Sequence, residues 1–246
     1  VPAVATVVLT RQPADNEPLR RLLETRGLRV LEAPCLEVVF VEPTVEESAA
    51  LLPLDRYDAA LFASRNGVAG FFAWREGRGD SRLRRRPRLV GAVGPATAAA
   101  LAERGWEADV IASPATGGQL ARELLSRLRK ASRVLAVRGR LSRGVAASAL
   151  QAAGHAVATL TVYDNREPEV PRLGDSVDAV VVASPSAAAR FLAANPNAAR
   201  AAFVALGPTT AAWLTEKNIT AVTAKSTRVE DLADAVTQAL ETNANV

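Results

Sequence analysis

One structural unit occurs twice in this chain, and no other feature limits its fold so strongly. Tyr57-Asp-Ala-Ala-Leu-Phe-Ala-Ser64-Arg-Asn-Gly-Val-Ala-Gly-Phe71 resembles Val177-Asp-Ala-Val-Val-Val-Ala-Ser184-Pro-Ser-Ala-Ala-Ala-Arg-Phe191. Asp58 pairs with Asp178, Ser64 with Ser184 and Phe71 with Phe191. A second pair follows: Leu89-Val-Gly-Ala-Val-Gly94-Pro95-Ala96-Thr97 matches Ala202-Phe-Val-Ala-Leu-Gly207-Pro208-Thr209-Thr210. A looser third pair sets Thr6-Val-Val-Leu-Thr10-Arg11, with its later Gly27, against Arg133-Val-Leu-Ala-Val-Arg138, with its later Gly154.

Each unit reads as strand, turn and helix. The strands are short continuous apolar runs, as burial on both faces of a parallel sheet requires. The helices are rich in Ala and Leu, and glycine closes several of them, as at Arg26-Gly27 and Ala153-Gly154. The expected fold class is therefore α/β: two doubly wound parallel-sheet (flavodoxin-like) lobes with a ligand cleft between them. Along the chain the unit types run A, B, C, A, B, C. An interleaved arrangement is expected, with the first A joined to the last B and C. Residues 1–35 and 168–246 then form one discontinuous domain and 43–158 the other. The extended segments 36–42 and 159–167 are expected to pair as a two-stranded β connector, which keeps each crossing short.

Composition agrees with a globular protein: 49% of the 246 residues are hydrophobic and 23% charged. The net charge of +4 and pI near 9.8 favour an anionic ligand without demanding nucleic acid. The most basic stretch, Ser81 to Arg88, has no interleaved aromatics and reads as a solvated loop rather than a base-stacking surface. A single cysteine, Cys35, excludes an internal disulfide and reads as a small core residue. No apolar run reaches spanning length and no basic region precedes the apolar start, so the expected location is cytoplasmic.

Familiar catalytic signatures are missing. One histidine, His155, and one cysteine give no metal-ligand cluster, and His155 reads as a loop or packing residue. Thr116-Gly117-Gly118-Gln119 is no dinucleotide fingerprint and reads as a helix start. What recurs instead is a hydroxyl at a strand-to-helix turn. Ser64 and Ser184 end apolar strands, and Thr97, Thr209 and Thr210 follow Gly-Pro. Such hydroxyls can cap helices, and the remaining amides and the helix dipole favour an anion. One such turn means only a cap. Several of them on two lobes would suit a ligand with many carboxylates, with charge added by Arg11 and Arg138 and by Arg65 as a further candidate. Tyr163, one of two tyrosines, lies on the proposed connector; it could project into a cleft or pack a hinge, and spacing does not choose. Trp74, Trp106 and Trp213 fall in or just after helix patterns and read as packing or surface residues.

These residues resemble the uroporphyrinogen-III synthase family. The matching features are Thr10-Arg11, Leu61-Phe-Ala-Ser64-Arg-Asn-Gly-Val68, Val93-Gly-Pro-Ala-Thr97, Val162-Tyr163, Ala183-Ser-Pro-Ser-Ala187 and Leu206-Gly-Pro-Thr-Thr210. Each is weak alone; their order across nearly the whole chain makes the resemblance specific. It implies a linear hydroxymethylbilane as substrate, with an acetate and a propionate on each ring. The reaction implied is loss of water and ring closure with inversion of the last pyrrole, through an azafulvene and a spiro intermediate, without metal or organic cofactor. It implies Tyr163 as the residue assisting hydroxyl departure, and Thr10, Arg11, Ser64, Thr97, Arg138, Ser184, Ser186, Thr209 and Thr210 as substrate contacts. Ala96 stands where the other copy has Thr209, so the turns are not equivalent donors. The expected partners are this small-molecule polycarboxylate and, transiently, the preceding pathway enzyme, with no nucleic acid, no membrane and a monomeric state. Two other readings remain: a non-catalytic tetrapyrrole-sensing or regulatory module on the same fold, and a two-lobed small-anion binding protein of the periplasmic type.

Overall fold

The computed structural model describes residues 4–79, 85–174 and 177–244. The chain begins with β1 (Thr6–Leu9), α1 (Pro13–Thr25), β2 (Arg29–Glu32), β3 (Glu37–Phe40) and α2 (Val45–Ala50). There follow β4 (Ala59–Phe62), α3 (Arg65–Glu76), β5 (Leu89–Ala92), α4 (Pro95–Ala102), β6 (Val110–Ile111) and α5 (Gly117–Leu125). The next elements are β7 (Arg133–Gly139), α6 (Val145–Ala152), β8 (Ala156–Arg166), β9 (Ala179–Val182) and α7 (Pro185–Ala194). The chain closes with β10 (Ala202–Ala205), α8 (Pro208–Glu216), β11 (Ala221–Thr223) and α9 (Val229–Ala244). It packs as two units, Val1–Glu37 with Arg166–Val246, and Val38–Asn165.

The first unit holds a five-stranded sheet in the order β11-β10-β9-β1-β2, with every pair parallel. Its three inner strands are buried at every residue, while β2 and β11 at the edges are partly exposed. Continuous apolar runs therefore mark the centre of the sheet, where both faces are covered. On one face Leu19 and Leu23 of α1 and Leu232 and Val236 of α9 pack against Val7, Leu9, Val181 and Val204. On the other, Phe191 of α7 and Leu214 of α8 pack against Val8, Val180, Val182 and Phe203. Helices thus cover both faces of the sheet. Burying each Leu or Phe contributes about 1.5–3 kcal/mol before chain entropy is counted.

The second unit holds a six-stranded sheet in the order β3-β8-β7-β4-β5-β6. Leaving β3 aside, its strands follow the same spatial order of unit types as the first sheet, although the chain visits them in a different sequence. Repeated aspartates make the correspondence physical. Asp178 Oδ2 accepts from the Thr6 amide at 2.7 Å, and Asp58 Oδ2 from the Arg133 amide at 2.9 Å. Each aspartate thereby ties the start of a B strand to the start of the neighbouring A strand. The cores differ: among the described residues Phe62, Phe71, Phe72, Trp74 and Trp106 form an aromatic cluster in the second unit, with centroids of contacting pairs 5.2–6.3 Å apart.

The expected connector differs from a free-standing ribbon. Segments 36–42 and 159–167 do lie side by side, as β3 and β8, with the Val41 amide donating to the Val162 carbonyl. But β8 also pairs with β7, from Arg133↔Ala156 to Gly139↔Tyr163. Both segments are strands of the six-stranded sheet, because Leu160, Thr161 and Val162 are buried there and need both neighbours to satisfy their backbone. In the basic stretch, Ser81 to Arg84 lie outside the described residues. Arg86 pairs with Asp109 at 2.9 Å and Arg85 with Asp55 at 3.6 Å. Asn245 and Val246 also lie outside them.

Candidate functional site at the carboxyl edges of the two sheets

Parallel strands place all their following turns on one edge of the sheet, so in each unit the hydroxyl-bearing turns share an edge. In the second unit Ser64 follows β4 and caps α3, its Oγ accepting from the Gly67 amide at 3.0 Å. The same Oγ lies 3.1 Å from the hydroxyl of Tyr163 on β8. The structure therefore brings together two residues 99 positions apart that the sequence could only place separately. Two glycines make this possible. A Cβ at Gly139 would stand 2.5 Å from Tyr163 Cε2 and closer still to Cζ, so the ring fills the space a side chain would need there. A Cβ at Gly70 would stand 2.6 Å from the Val162 carbonyl oxygen, so α3 sits directly on the β8 backbone. Neither glycine was singled out by sequence. The available signal was Arg138-Gly139 at the end of an apolar run, where a glycine marks close approach.

The Gly-Pro turns differ from the caps expected of their threonines. Gly94 and Gly207 occupy the N-cap positions of α4 and α8, Pro95 and Pro208 follow, and no side chain caps either helix. Thr97 and Thr210 fall inside the first turn and are buried, with 4% and 3% exposure. They pack inward and are not surface donors. Thr209 is exposed, as is Ala96 in the equivalent place. Proline removes one donor from each first turn, and the Thr97 and Thr210 amides bond back to the Gly94 and Gly207 carbonyls at 3.1 and 3.2 Å, so the donors left for an external acceptor are those of Ala96 and Thr209. Thr116 does cap α5, accepting from the Gln119 amide at 3.2 Å.

In the first unit Thr10 is also an inward residue: it is 2% exposed and its hydroxyl donates to the Val181 carbonyl at 2.8 Å. Arg11 beside it is 29% exposed and pairs with Asp15 at 3.2 Å. Ser184 caps α7, accepting from the Ala187 amide at 3.2 Å, and lies 3.1 Å from Ser186 Oγ. In the second unit Arg138 stands one residue before the end of β7, with its Nε buried and unpartnered among the described residues. Arg65 is exposed at the start of α3.

The remaining candidates stand apart. Cys35 is fully buried, and desolvation, only partly offset by the Arg190 charge, pushes its thiol up to about 11. Such a thiol is a poor nucleophile. His155 precedes β8, at the opposite edge of the sheet from Ser64 and Tyr163. Among the described residues no group of three or more His, Cys, Asp or Glu is placed to hold a metal ion, and no helix is long and apolar enough to cross a membrane. Trp74 and Trp106 are core residues, and Trp213 packs partly buried on the first unit's core.

The sequence model of the uroporphyrinogen-III synthase HemD family matches residues 17–234. A protein of Methanothermobacter thermautotrophicus, provisionally named uroporphyrinogen-III synthase, is 27% identical over 94% of this chain and 96% of its own. The porphyrin biosynthesis protein HemD of Ruminiclostridium josui is 30% identical over 54% of this chain, which spans 27% of that longer protein. Among solved structures, a mutant uroporphyrinogen III synthase of Thermus thermophilus superposes with a TM-score of 0.62 at 20% identity, covering 97% of this chain and 100% of that one. The Helicobacter pylori uroporphyrinogen-III synthetase gives 0.59 at 18% identity, covering 96% and 99%. At those identities the structures establish the shared α/β fold, and the family match establishes the rest: this chain belongs to the uroporphyrinogen-III synthase family, lyases of porphyrin biosynthesis.

Proposed function

We propose that the chain converts linear hydroxymethylbilane to uroporphyrinogen III, with loss of water and inversion of the last pyrrole ring. The conversion has no net redox change, and the reading asks for no metal or organic cofactor. The observation that carries it is the Tyr163 hydroxyl held 3.1 Å from Ser64 Oγ at the carboxyl edge of a parallel sheet. Ser64 Oγ already accepts from Gly67, so its own hydrogen can be given to the tyrosine oxygen. That leaves the tyrosine hydrogen for the departing hydroxyl of the substrate. The C–O bond breaks as the pyrrole nitrogen supplies its electron pair, and water leaves with the proton from Tyr163. The proton released when the closed ring regains aromaticity returns to the tyrosine.

The rest of the task is positioning, since closure without inversion competes and orientation decides between them. Exposed Thr209 and Ser186, the uncapped starts of α4 and α8, Ser184, Arg11 and Arg138 supply donors suited to carboxylates. Thr10 ties its hydroxyl to the Val181 carbonyl at 2.8 Å, and Thr97 and Thr210 are buried within the first turns of α4 and α8. The protein acts on a small molecule, and we read it as a cytoplasmic monomer. The test is to supply fresh hydroxymethylbilane, oxidise the product and resolve the porphyrin isomers. The type III isomer is expected; type I alone, at the buffer rate, refutes the reading. Tight binding of the bilane without turnover would point to a regulatory module.

A further inference from the structure

Regular alternation along β8 would aim Tyr163 away from Ser64. Ala158, Leu160 and Val162 face the core that α3 covers. A strand sends alternate side chains to opposite faces, so residue 163 would join Thr161 on the other side. Tyr163 nevertheless packs on the same core as Leu160 and Val162. The reason is one extra residue. Arg138 of β7 pairs with Thr161 and Gly139 with Tyr163, so β8 takes two steps where β7 takes one, and Val162 is the residue inserted. Such a bulge bends a strand and re-aims the side chain that follows, and here it brings the tyrosine to Ser64.

The bulge is tied down at each of its three residues. The Val162 carbonyl accepts from the Val41 amide at 3.1 Å, and the Tyr163 carbonyl from the Arg140 amide at 2.9 Å. Thr161 is buried and bonds to a carboxylate 114 positions away: its hydroxyl donates to Glu47 Oε1 at 2.8 Å and its amide to Oε2 at 3.2 Å. Oε2 also accepts from the Thr44 amide at 3.2 Å, and the Glu47 amide donates to Thr44 Oγ1 at 3.1 Å. The capping box of α2 thus fixes the carboxylate in the orientation that the strand uses. α2 buries none of its six residues, so apolar packing does not account for its place in the fold. Glu47 ties it to the sheet, and does so at the residue before the insertion.

We propose that Glu47 is a positioning residue for the reaction: its carboxylate holds β8 at the bulge and thereby keeps the Tyr163 hydroxyl at Ser64. It touches no substrate and moves no proton. The inference rests on the synthase reading, in which Tyr163 assists departure of the hydroxyl, and adds to it a residue of another element that sets the aim of the tyrosine. A carboxylate suits the place because its two oxygens accept from both donors of one residue. Glutamine can keep the pattern, its oxygen accepting from the Thr44 and Thr161 amides and its nitrogen donating to the Thr161 hydroxyl. Alanine keeps none of it.

The chain has two tyrosines, Tyr57 and Tyr163, so protein carrying tyrosine isotope-labelled at Cζ gives two carbon resonances, assigned by the loss of one in Tyr163→Phe. Glu47→Ala is expected to move the Tyr163 resonance toward that of the unfolded chain, and Glu47→Gln to leave it near its wild-type position. In the isomer assay Glu47→Ala is expected to lower kcat about tenfold with KM within about twofold, and Glu47→Gln to restore most of that loss. Thr161→Val keeps the shape and removes the hydroxyl. It should move the same resonance in the same direction, and it carries the test if Glu47→Ala does not fold. A Tyr163 resonance unmoved in Glu47→Ala, or an unchanged kcat, overturns the inference, since Glu47 would then only anchor α2. Equal loss in Glu47→Gln and Glu47→Ala also overturns it, because charge rather than the hydrogen-bond pattern would then matter. Wild-type protein that forms only the type I isomer would overturn the synthase reading instead, while the resonances would still decide whether Glu47 sets the tyrosine.

Discussion

Replacing Gly139 by alanine tests whether Tyr163 must sit where it does. The added Cβ would lie 2.5 Å from Cε2 and 2.9 Å from Cε1 of the tyrosine, where ordinary contact begins near 3.4 Å. Gly139 lies in β7, and after a register shift between Arg138 and Gly139 it pairs with Tyr163 itself, so withdrawing the backbone would break that last pair of the ladder. The ring must therefore retreat by about 1 Å, which breaks the 3.1 Å contact with Ser64. Overpacking of this kind costs about 1–3 kcal/mol of stability. A displacement of that size at a reacting group costs about 100-fold in rate. The expected outcome for Gly139→Ala is a folded protein, with a lower urea midpoint and type III isomer formation reduced about 100-fold. Gly91→Ala is the control: its Cβ would meet the flexible ends of Leu120 and Leu124 at 3.0 and 3.2 Å, away from Tyr163. It should cost less stability than Gly139→Ala, because the leucine ends can give by a few tenths of an ångström, and should leave turnover unchanged. Full activity in Gly139→Ala, or equal loss in both variants, would show that the position of the tyrosine ring does not govern the reaction.

Tyr163→Phe keeps the ring over Gly139 and removes only the hydroxyl; kcat should fall about 100-fold with KM nearly constant, as initial rates would report. Thr209→Ala and Thr210→Ala should separate by place: the exposed Thr209 should affect KM, and the buried Thr210 should lower the unfolding free energy measured in urea by about 1 kcal/mol with KM unchanged. Asp58→Ala and Asp178→Ala each strip a strand-start amide of its acceptor, and chemical denaturation should show a loss of about 1–2 kcal/mol for either. Burial raises the Cys35 thiol to about 11, so at pH 8 only roughly one molecule in a thousand carries a thiolate. A thiol reagent should therefore label it only after unfolding, and rapid labelling of the native protein would contradict its burial.

Much of the architecture follows from the chain alone. Val7 to Leu9, Ala59 to Phe62, Ala179 to Val182 and Ala202 to Ala205 are runs without a polar residue, and only a strand covered on both faces accommodates them. Gly-Pro after a strand sets the first helical turn, because proline there fixes φ and lacks a donor that would go unpaired. The repeat indicated which strands are equivalent, and Asp58 and Asp178 show that equivalence as the same hydrogen bond made twice. The hydroxyls were legible only as a pattern. Sequence does not distinguish Thr209 from Thr210, since the difference is which side of one helical turn faces the core. Nor could it place β3 and β8 within a six-stranded sheet, because strand neighbours are chosen by burial and backbone pairing far apart in the chain. The contact between Ser64 and Tyr163, the ring packed against Gly139 and the buried Arg138 Nε, which has no partner among the described residues, all depend on distances between elements. The chain alone determined the units, their order and the residue types offered at each turn. Tertiary packing decided which of those side chains are buried and which meet one another, because that depends on the approach of α3 to β8 and of β8 to β7, to within a fraction of an ångström.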